Sequence, residues 1–485
     1  MDSPLATDLY QLTMAQAGLR AGKWHDRGVF HLFFRRLPFQ GGYAIAAGLD
    51  TALALLENFR FSSDDLAYLS SLTGNDTQPL FDKTFLEALG ALHLDVELAA
   101  VPEGSVVFAN EPLLRVTGTL WQAQLLETVL LNTVNYQTLV ATKAARMVQA
   151  ARGRPVLELG MRRAQGAAAL AASRAAYIGG CSATSNVLAG QRYGVPVRGT
   201  HAHSWVMAFD TELAAFEAYA SAQPNNCVLL VDTFDTLNGV RNAILANRKL
   251  VERGHKLAGI RLDSGDLAWL SIESRKLLDA AGLHETQIFA SNDLDEHLIE
   301  SLIQQGAAID AWGVGTKLVT AYDEPALTGV YKLSMLQSPA TGDKFVPRIK
   351  LSEQAVKISN PGIQQVRRFS RDDQWVADAI YDEQLGCGSP CVLVDPFDPA
   401  RERTLGKDLT HEDLLVPVWR NGQRVAPPPP LAAVRERTQR ELQKLHPTVK
   451  RLLNPHEYPV GLSAELYEER TRLVRAARKV EPPTS

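Results

Sequence analysis

Between residues 150 and 320 one pattern repeats: a short apolar, β-branched run that ends in polar or glycine residues, then an Ala-rich or amphipathic stretch of helical period. The runs are Pro155–Gly160, Pro196–Thr200, Cys227–Asp232, Leu257–Asp263, Gln287–Ser291 and Ala311–Thr316. Their last residues, 160, 200, 232, 263, 291 and 316, lie 25 to 40 residues apart. Such spacing is that of strand-helix units, and a barrel of roughly 250 residues allots about 31 to each of eight units. The rhythm therefore suits an α/β barrel. A doubly wound open sheet shares the alternation and stays open as an alternative, since only six strands stand out.

The flanks read differently. A first helix has Thr7 as its cap and Leu9, Leu12 and Leu19 on one face. A strand over 28–35 places Phe30, Leu32 and Phe34 on one side and His31 and Arg35 on the other. Residues 121–152 form one long helix or two in series. After 330 strand-like runs return (GVYKL, KFVPRIKL), the Pro427–Pro430 run is a stiff linker, and charged amphipathic helices follow near 431–446 and 463–479, the second capped by Ser463.

Composition narrows the function classes. With 485 residues, 46% hydrophobic, 21% charged and a net charge of −4, the chain reads as a soluble globular protein with a large core. Lys and Arg are spread evenly, which argues against a nucleic-acid partner, and no apolar run approaches a bilayer's thickness, which argues against a membrane partner. The beginning, MDSPLATDLYQLTM, has no basic region followed by an apolar stretch, so no secretory signal is expected. Four cysteines, Cys181, Cys227, Cys387 and Cys391, are too few for a disulfide framework. The Cys387/Cys391 pair lacks a second pair of zinc ligands and reads as two reduced thiols. A reducing cytoplasm is the expected location.

In either α/β architecture ligands gather at the carboxyl ends of the strands. There the sequence places Glu158–Arg163, Gly199–Ser204, Asp232–Asp235, Arg261–Asp266, Ser291–Asp293 and Gly313–Lys317. Arginines fork onto carboxylate or phosphate and aspartates accept from sugar hydroxyls, so the mixture suits an anionic, hydroxyl-bearing ligand. Amides of Ser264-Gly265-Asp266 and Gly313–Thr316, each opening a helix, suit phosphates. Asp235, Asp266 and Asp293 read as helix caps, whereas Asp232 and Asp263 close apolar strands and read as functional. The VDTFDTLNG stretch has only a superficial likeness to an acidic phosphate loop, because Phe234, Leu237 and Asn238 interrupt it.

His201-x-His203 fits three roles: metal ligands as in barrel metallohydrolases, a nucleophilic or acid/base histidine, or a histidine bonded within a loop. His255 and His284 precede their strands and His297 falls in a helix, so a metal site lacks its further imidazoles. Taken alone, the pair favours the loop reading.

Beyond these elements, TDLYQLTM, FFRRLPFQGGYAIAAGL, ELGMRRAQG, NVLAGQRYGVPVRGTHAHSW, LLVDTFDTLNGVRNAI, GIRLDSGDL and GVGTKLVTAYDEPALTGVYKL, in order from residue 7 to 333, resemble the nicotinate phosphoribosyltransferase family, as does HEYPVGLSAELY in the tail. The resemblance implies an irregular (β/α) barrel of the type II phosphoribosyltransferase kind beside an α+β domain built from both termini. The corresponding division is an N-terminal α+β part over 1–125, the barrel over 126–335, a return to the terminal domain over 336–400 and a helical extension over 401–485. It implies transfer of the phosphoribosyl group from 5-phosphoribosyl 1-diphosphate to nicotinate, giving nicotinate mononucleotide for NAD salvage, with ATP as co-substrate, Mg²⁺ as cofactor and a homodimer with shared sites.

Carried over by motif, the resemblance makes His203 the phosphorylated histidine, places Thr200 at nicotinate, and sets Arg261 at the substrate carboxylate and ribosyl region. Asp263 meets the ribose hydroxyls, Asp232 organises ribose or metal-bound water, and Arg162 with Gly313, Gly315, Thr316 and Lys317 holds phosphates. Tyr10 stacks on the pyridine ring from the partner subunit, and Arg35 reaches the partner's site. Relatives often carry phenylalanine where Leu159 stands, so the ring here rests against an aliphatic surface. Within the class, nicotinamide is the alternative base, though Ser182-Ala183-Thr184-Ser185 offers no acid for an amide. Outside it, the barrel metallohydrolase is the alternative.

Overall fold

The computed structural model describes residues 3–342 and 344–479. It divides into two compact units, Val140–Pro325 and the pair of segments Met1–Leu139 and Ala326–Ser485.

The middle unit is built on a six-stranded parallel sheet in the order Ala183–Thr184, Val156–Glu158, Ala311–Val314, Gln287–Ala290, Gly259–Leu262, Val228–Leu230. The strands are two to four residues long and mostly buried, and Ala168–Ile178, Thr236–Val251, Leu267–Ala280 and Glu296–Gln304 are among the helices between them. Five of the six expected runs form regular strands. The sixth, Pro196–Thr200, does not, and its behaviour decides the architecture. On one side it bridges Thr184 through Val197, with Thr184 N donating to Pro196 O and Arg198 N to Thr184 O, both at 2.9 Å. On the other, side chains replace the ladder: Thr200 Oγ1 donates to Val228 O at 2.6 Å and Leu230 N donates to His201 Nε2 at 3.2 Å. The two ends of the sheet are thereby joined, making an irregular barrel and not an open sheet. Ala183–Thr184 went unanticipated because two residues carry no period.

Local chemistry starts the helices. Asp235 and Asp266 cap theirs, accepting from the amides of Asn238 and Trp269 at 2.8 and 3.0 Å. Asp293 does not: Asn292, at φ 118°, carries the chain through a turn, and Asp295 caps Glu296–Gln304. Helix Thr236–Val251 lies so close to its preceding strand that a Cβ on Gly239 would stand 2.0 Å from Val231 O. Lys143 and Arg146 both reach the buried Glu296 at 2.8 Å, compensating one buried carboxylate with two cations.

The terminal unit is α+β. One seven-stranded sheet pairs Arg27–Phe34 with both Leu114–Thr119 and Gly329–Gln337, and Val96–Ala100 with Val416–Arg420, so both ends of the chain build it. A six-stranded sheet carries the long hairpin Gln364–Arg371 and Gln374–Asp382. His31 is buried, its Nε2 accepting from Gln364 N at 3.1 Å, so both faces of the first strand are covered. Thr7 is not the first cap; Asp8 holds that position, and its carboxylate accepts from Thr128 instead. Residues 120–150 form two helices in series, Leu120–Leu125 and Glu127–Ala150. In the stretch expected to be helical, the short strands Glu402–Leu405, Thr410–Asp413 and Val416–Arg420 precede helices Leu431–Lys444 and Ala464–Arg478. Ser463 caps the latter. Among the described residues Cys227, Cys387 and Cys391 are free thiols, the last two with their sulfurs 3.0 Å apart. No described helix is long and apolar enough to cross a membrane.

Candidate active site

The carboxyl ends of the barrel strands open on a cleft of about 590 Å³ whose lining includes Leu159, Arg162, Ser185, Thr200, Arg261, Asp263, Ser291, Gly313, Gly315 and Thr316. Asp263 lines it, and Asp232 and His203 stand beside Asp263 outside that lining. Asp232 is buried two residues past strand Val228–Leu230; its Oδ2 accepts from Asp263 N at 2.9 Å and Ser264 Oγ at 2.6 Å. Its Oδ1 has no hydrogen-bond partner among the described residues and lies 3.9 Å from His203 Nε2. Asp263, directly after strand Gly259–Leu262, accepts from Ser291 Oγ with Oδ1, and its Oδ2 is also 3.9 Å from His203 Nε2. The other ring nitrogen of His203, Nδ1, is 3.0 Å from Thr233 Oγ1. His203 opens the short helix His203–Met207 with its ring 40% exposed. One nitrogen is thus anchored while the second faces two carboxylates and solvent, an arrangement able to take up and release a proton or a phosphoryl group.

His201 is its opposite. Its Nε2 accepts from the Leu230 amide, its Nδ1 is 3.3 Å from Ala202 O, and the ring packs edge-on against Tyr219. Burial pushes its pKa down to about 4, so at neutral pH it is an uncharged brace for the barrel. A metal bound by both histidines would need a nitrogen that the Leu230 amide already occupies.

Arg261 projects from strand Gly259–Leu262 with its Nε buried and without a partner among the described residues. Burial lowers its pKa, with Asp263 and Asp232 acting the other way. A guanidinium stays charged regardless, so its donors await an anion. Thr200 lines the cleft, although its hydroxyl is committed to Val228 O. Arg162 stands exposed at the rim. Gly313 leaves room for a neighbour, since a Cβ there would stand 2.6 Å from Leu159 Cδ1. Leu159 therefore spreads an aliphatic surface over the floor.

Lys317 is outside the lining, ion-paired to Asp295. Tyr10 and Arg35 belong to the terminal unit: Tyr10 is 47% exposed on helix Leu9–Arg20, and Arg35 follows its strand half-buried. Sequence reasoning set Thr233, Ser264 and Ser291 among the strand-end residues but missed that their side chains hold His203, Asp232 and Asp263. Thr233 and Ser264 directly follow the strand-end acids, and that adjacency was the available signal.

A closed barrel of short parallel strands, with acids, arginines and an anchored imidazole at its carboxyl edge, defines the type II phosphoribosyltransferase class. The fold agrees with a crystal structure of a Pyrococcus furiosus nicotinate-nucleotide pyrophosphorylase, at TM-score 0.69 and 22% identity over 91% of this chain and 95% of that one. Models of the nicotinate phosphoribosyltransferase N-terminal domain, family and C-terminal domain match residues 5–135, 155–342 and 363–470. The nicotinate phosphoribosyltransferase of Bacillus subtilis is 43% identical over 98% of this chain and 96% of its own. A crystal structure of human nicotinic acid phosphoribosyltransferase matches with TM-score 0.84 at 35% identity, covering 96% of this chain and 99% of that one. The chain belongs to the nicotinate phosphoribosyltransferase family.

Proposed function

We propose that this protein transfers the 5-phosphoribosyl group from 5-phosphoribosyl 1-diphosphate to nicotinate, giving nicotinate mononucleotide and diphosphate, with ATP hydrolysis coupled through a phosphohistidine at His203. The observation that carries the reading is His203 Nε2 at 3.9 Å from both Asp232 and Asp263, the second of which lines the cleft together with Arg261.

The chemistry is a displacement at C1 of the ribose. The bond from C1 to the diphosphate oxygen breaks, charge builds on the leaving group and on an oxocarbenium-like carbon, and the pyridine nitrogen forms the new bond. That nitrogen is already a free nucleophile, so the protein has to align the partners and stabilise charge. Arg261 meets the nicotinate carboxylate and ribosyl region, Asp263 orients the ribose hydroxyls, and Leu159 and Thr200 bound the ring. Arg162 and the Gly313–Thr316 turn receive phosphate oxygens, with Lys317 bracing that turn from Asp295.

The unpartnered Oδ1 of Asp232 beside Asp263 fits Mg²⁺, a hard cation that takes oxygen ligands. Asp232 and Asp263 would hold it with its waters, and the ion would supply neutralising charge at the diphosphate. Phosphate on His203 adds nearly two negative charges at the cleft and new acceptor oxygens, which tightens the diphosphate substrate's site in its Mg²⁺ form. In a homodimer Tyr10 and Arg35 of one subunit would serve the other's cleft, Tyr10 covering the ring face opposite Leu159. A cytoplasmic enzyme of NAD salvage is the setting this implies.

The deciding experiment incubates the protein with labelled nicotinate or nicotinamide, the phosphoribosyl donor and Mg²⁺, with and without ATP. Nicotinate mononucleotide formed faster with ATP is the expected product. Nicotinamide mononucleotide alone, or no transfer in either mixture, refutes the proposal.

A further inference from the structure

The terminal unit holds a second cavity, unrelated to the barrel cleft. It measures about 120 Å³, and its lining includes Phe33, Phe108, Ile380, Phe397, Tyr458 and Arg470. An apolar cavity of about 150 Å³ takes up benzene, so this one is of the size for a single ring. Phe108 and Tyr458 stack in its wall with centroids 4.1 Å apart, while Phe397, 49% exposed, lies at its mouth.

Arg470 is the anomaly. It is only 7% exposed on helix Ala464–Arg478, its Nε is buried without a hydrogen bond, and among the described residues no carboxylate pairs with it. A guanidinium cannot shed its proton to escape burial, so a bound anion would stabilise it there. Two acids also line the cavity. Asp395 is committed to the amides of Phe397 and Asp398 at 2.8 and 3.1 Å, and Glu457 is exposed. Their charge disfavours a dianion such as phosphate, and the aromatic walls favour an apolar body over a fully hydrated ion.

We propose that this cavity binds a small flat monocarboxylate, its carboxylate on Arg470 and its ring against Phe108, Tyr458 and Phe397. The catalytic reading does not enter this argument, since every residue used lies in the other unit.

The test is calorimetric titration of benzoate into the full-length chain carrying Arg261→Ala, which removes the barrel cleft's buried arginine. Saturable binding is expected, weakened about tenfold or more when Arg470→Met is added, and weakened also by Phe397→Ala at the exposed rim. Acetate and inorganic phosphate are expected to bind at least about tenfold more weakly than benzoate. Without ligand, Arg470→Met should melt at the same or a higher temperature, because it deletes an unpaired buried charge. Equal benzoate affinity with and without Arg470, or phosphate binding more tightly than benzoate, overturns the proposal.

Discussion

His203 Nε2 and Asp232 Oδ1 face each other at 3.9 Å, too far for a hydrogen bond and near enough for the carboxylate to attract positive charge on the ring. Thr233 sets this spacing from behind by holding Nδ1. His203→Ala is therefore expected to keep slow phosphoribosyl transfer and lose its stimulation by ATP. Thr233→Val should keep basal transfer and slow His203 phosphorylation by roughly tenfold, since the ring loses its anchor. Initial rates with and without ATP, and labelling by γ-³²P ATP, read both.

Asp232 supports its neighbours as well as facing His203, since one oxygen accepts from both Asp263 N and Ser264 Oγ. Asp232→Asn is expected to lower kcat/KM for the phosphoribosyl donor by about a hundredfold, the scale seen when one preorganised polar group is lost from an active site. The loss should be much smaller for Ser264→Ala, which removes one donor and leaves the carboxylate. Steady-state kinetics at varied Mg²⁺ separates the two.

The pKa of His201 falls to about 4 because burial penalises the charged ring. A histidine depressed in the folded state contributes stability that is fully present above its unfolded value of about 6.5 and is lost as pH falls toward about 4. Denaturant midpoints between pH 7 and 4 should drop on acidification, and His201→Gln should flatten part of that slope. A parallel decline in both proteins would contradict the assignment.

At Gly239 even one methyl group meets a backbone oxygen, with 2.0 Å between the added Cβ and Val231 O. Gly239→Ala is expected to push helix Thr236–Val251 off the strand that carries Asp232, destabilising the protein by about 1–3 kcal/mol or more. Gly254→Ala is a useful contrast: its Cβ would meet nothing within 4 Å, and its φ of +76° leaves only backbone strain, a smaller cost. Chemical denaturation of the two variants gives the comparison.

Much of the barrel was legible because its signals are local. Apolar runs bounded by polar residues mark where strands end, and Asp235 and Asp266 cap the helices that follow because the amides they serve lie three residues on. The terminal unit was less legible, since Val416–Arg420 finds its partner in Val96–Ala100 and nothing in a five-residue strand announces a mate so distant.

The sequence by itself determined where the strands stop and which acids, arginines and glycines stand at those stops, because these follow from local patterning and short-range hydrogen bonds. Only the tertiary structure decided what each of them does. His201 became a brace because the Leu230 amide, 29 positions away, needed an acceptor, which left His203 as the free imidazole. Lys317 was paired by Asp295, and the Pro196–Thr200 segment closed the barrel through side chains. A polar group's role depends on whether a partner reaches it, and those partners arrive from other strands and helices.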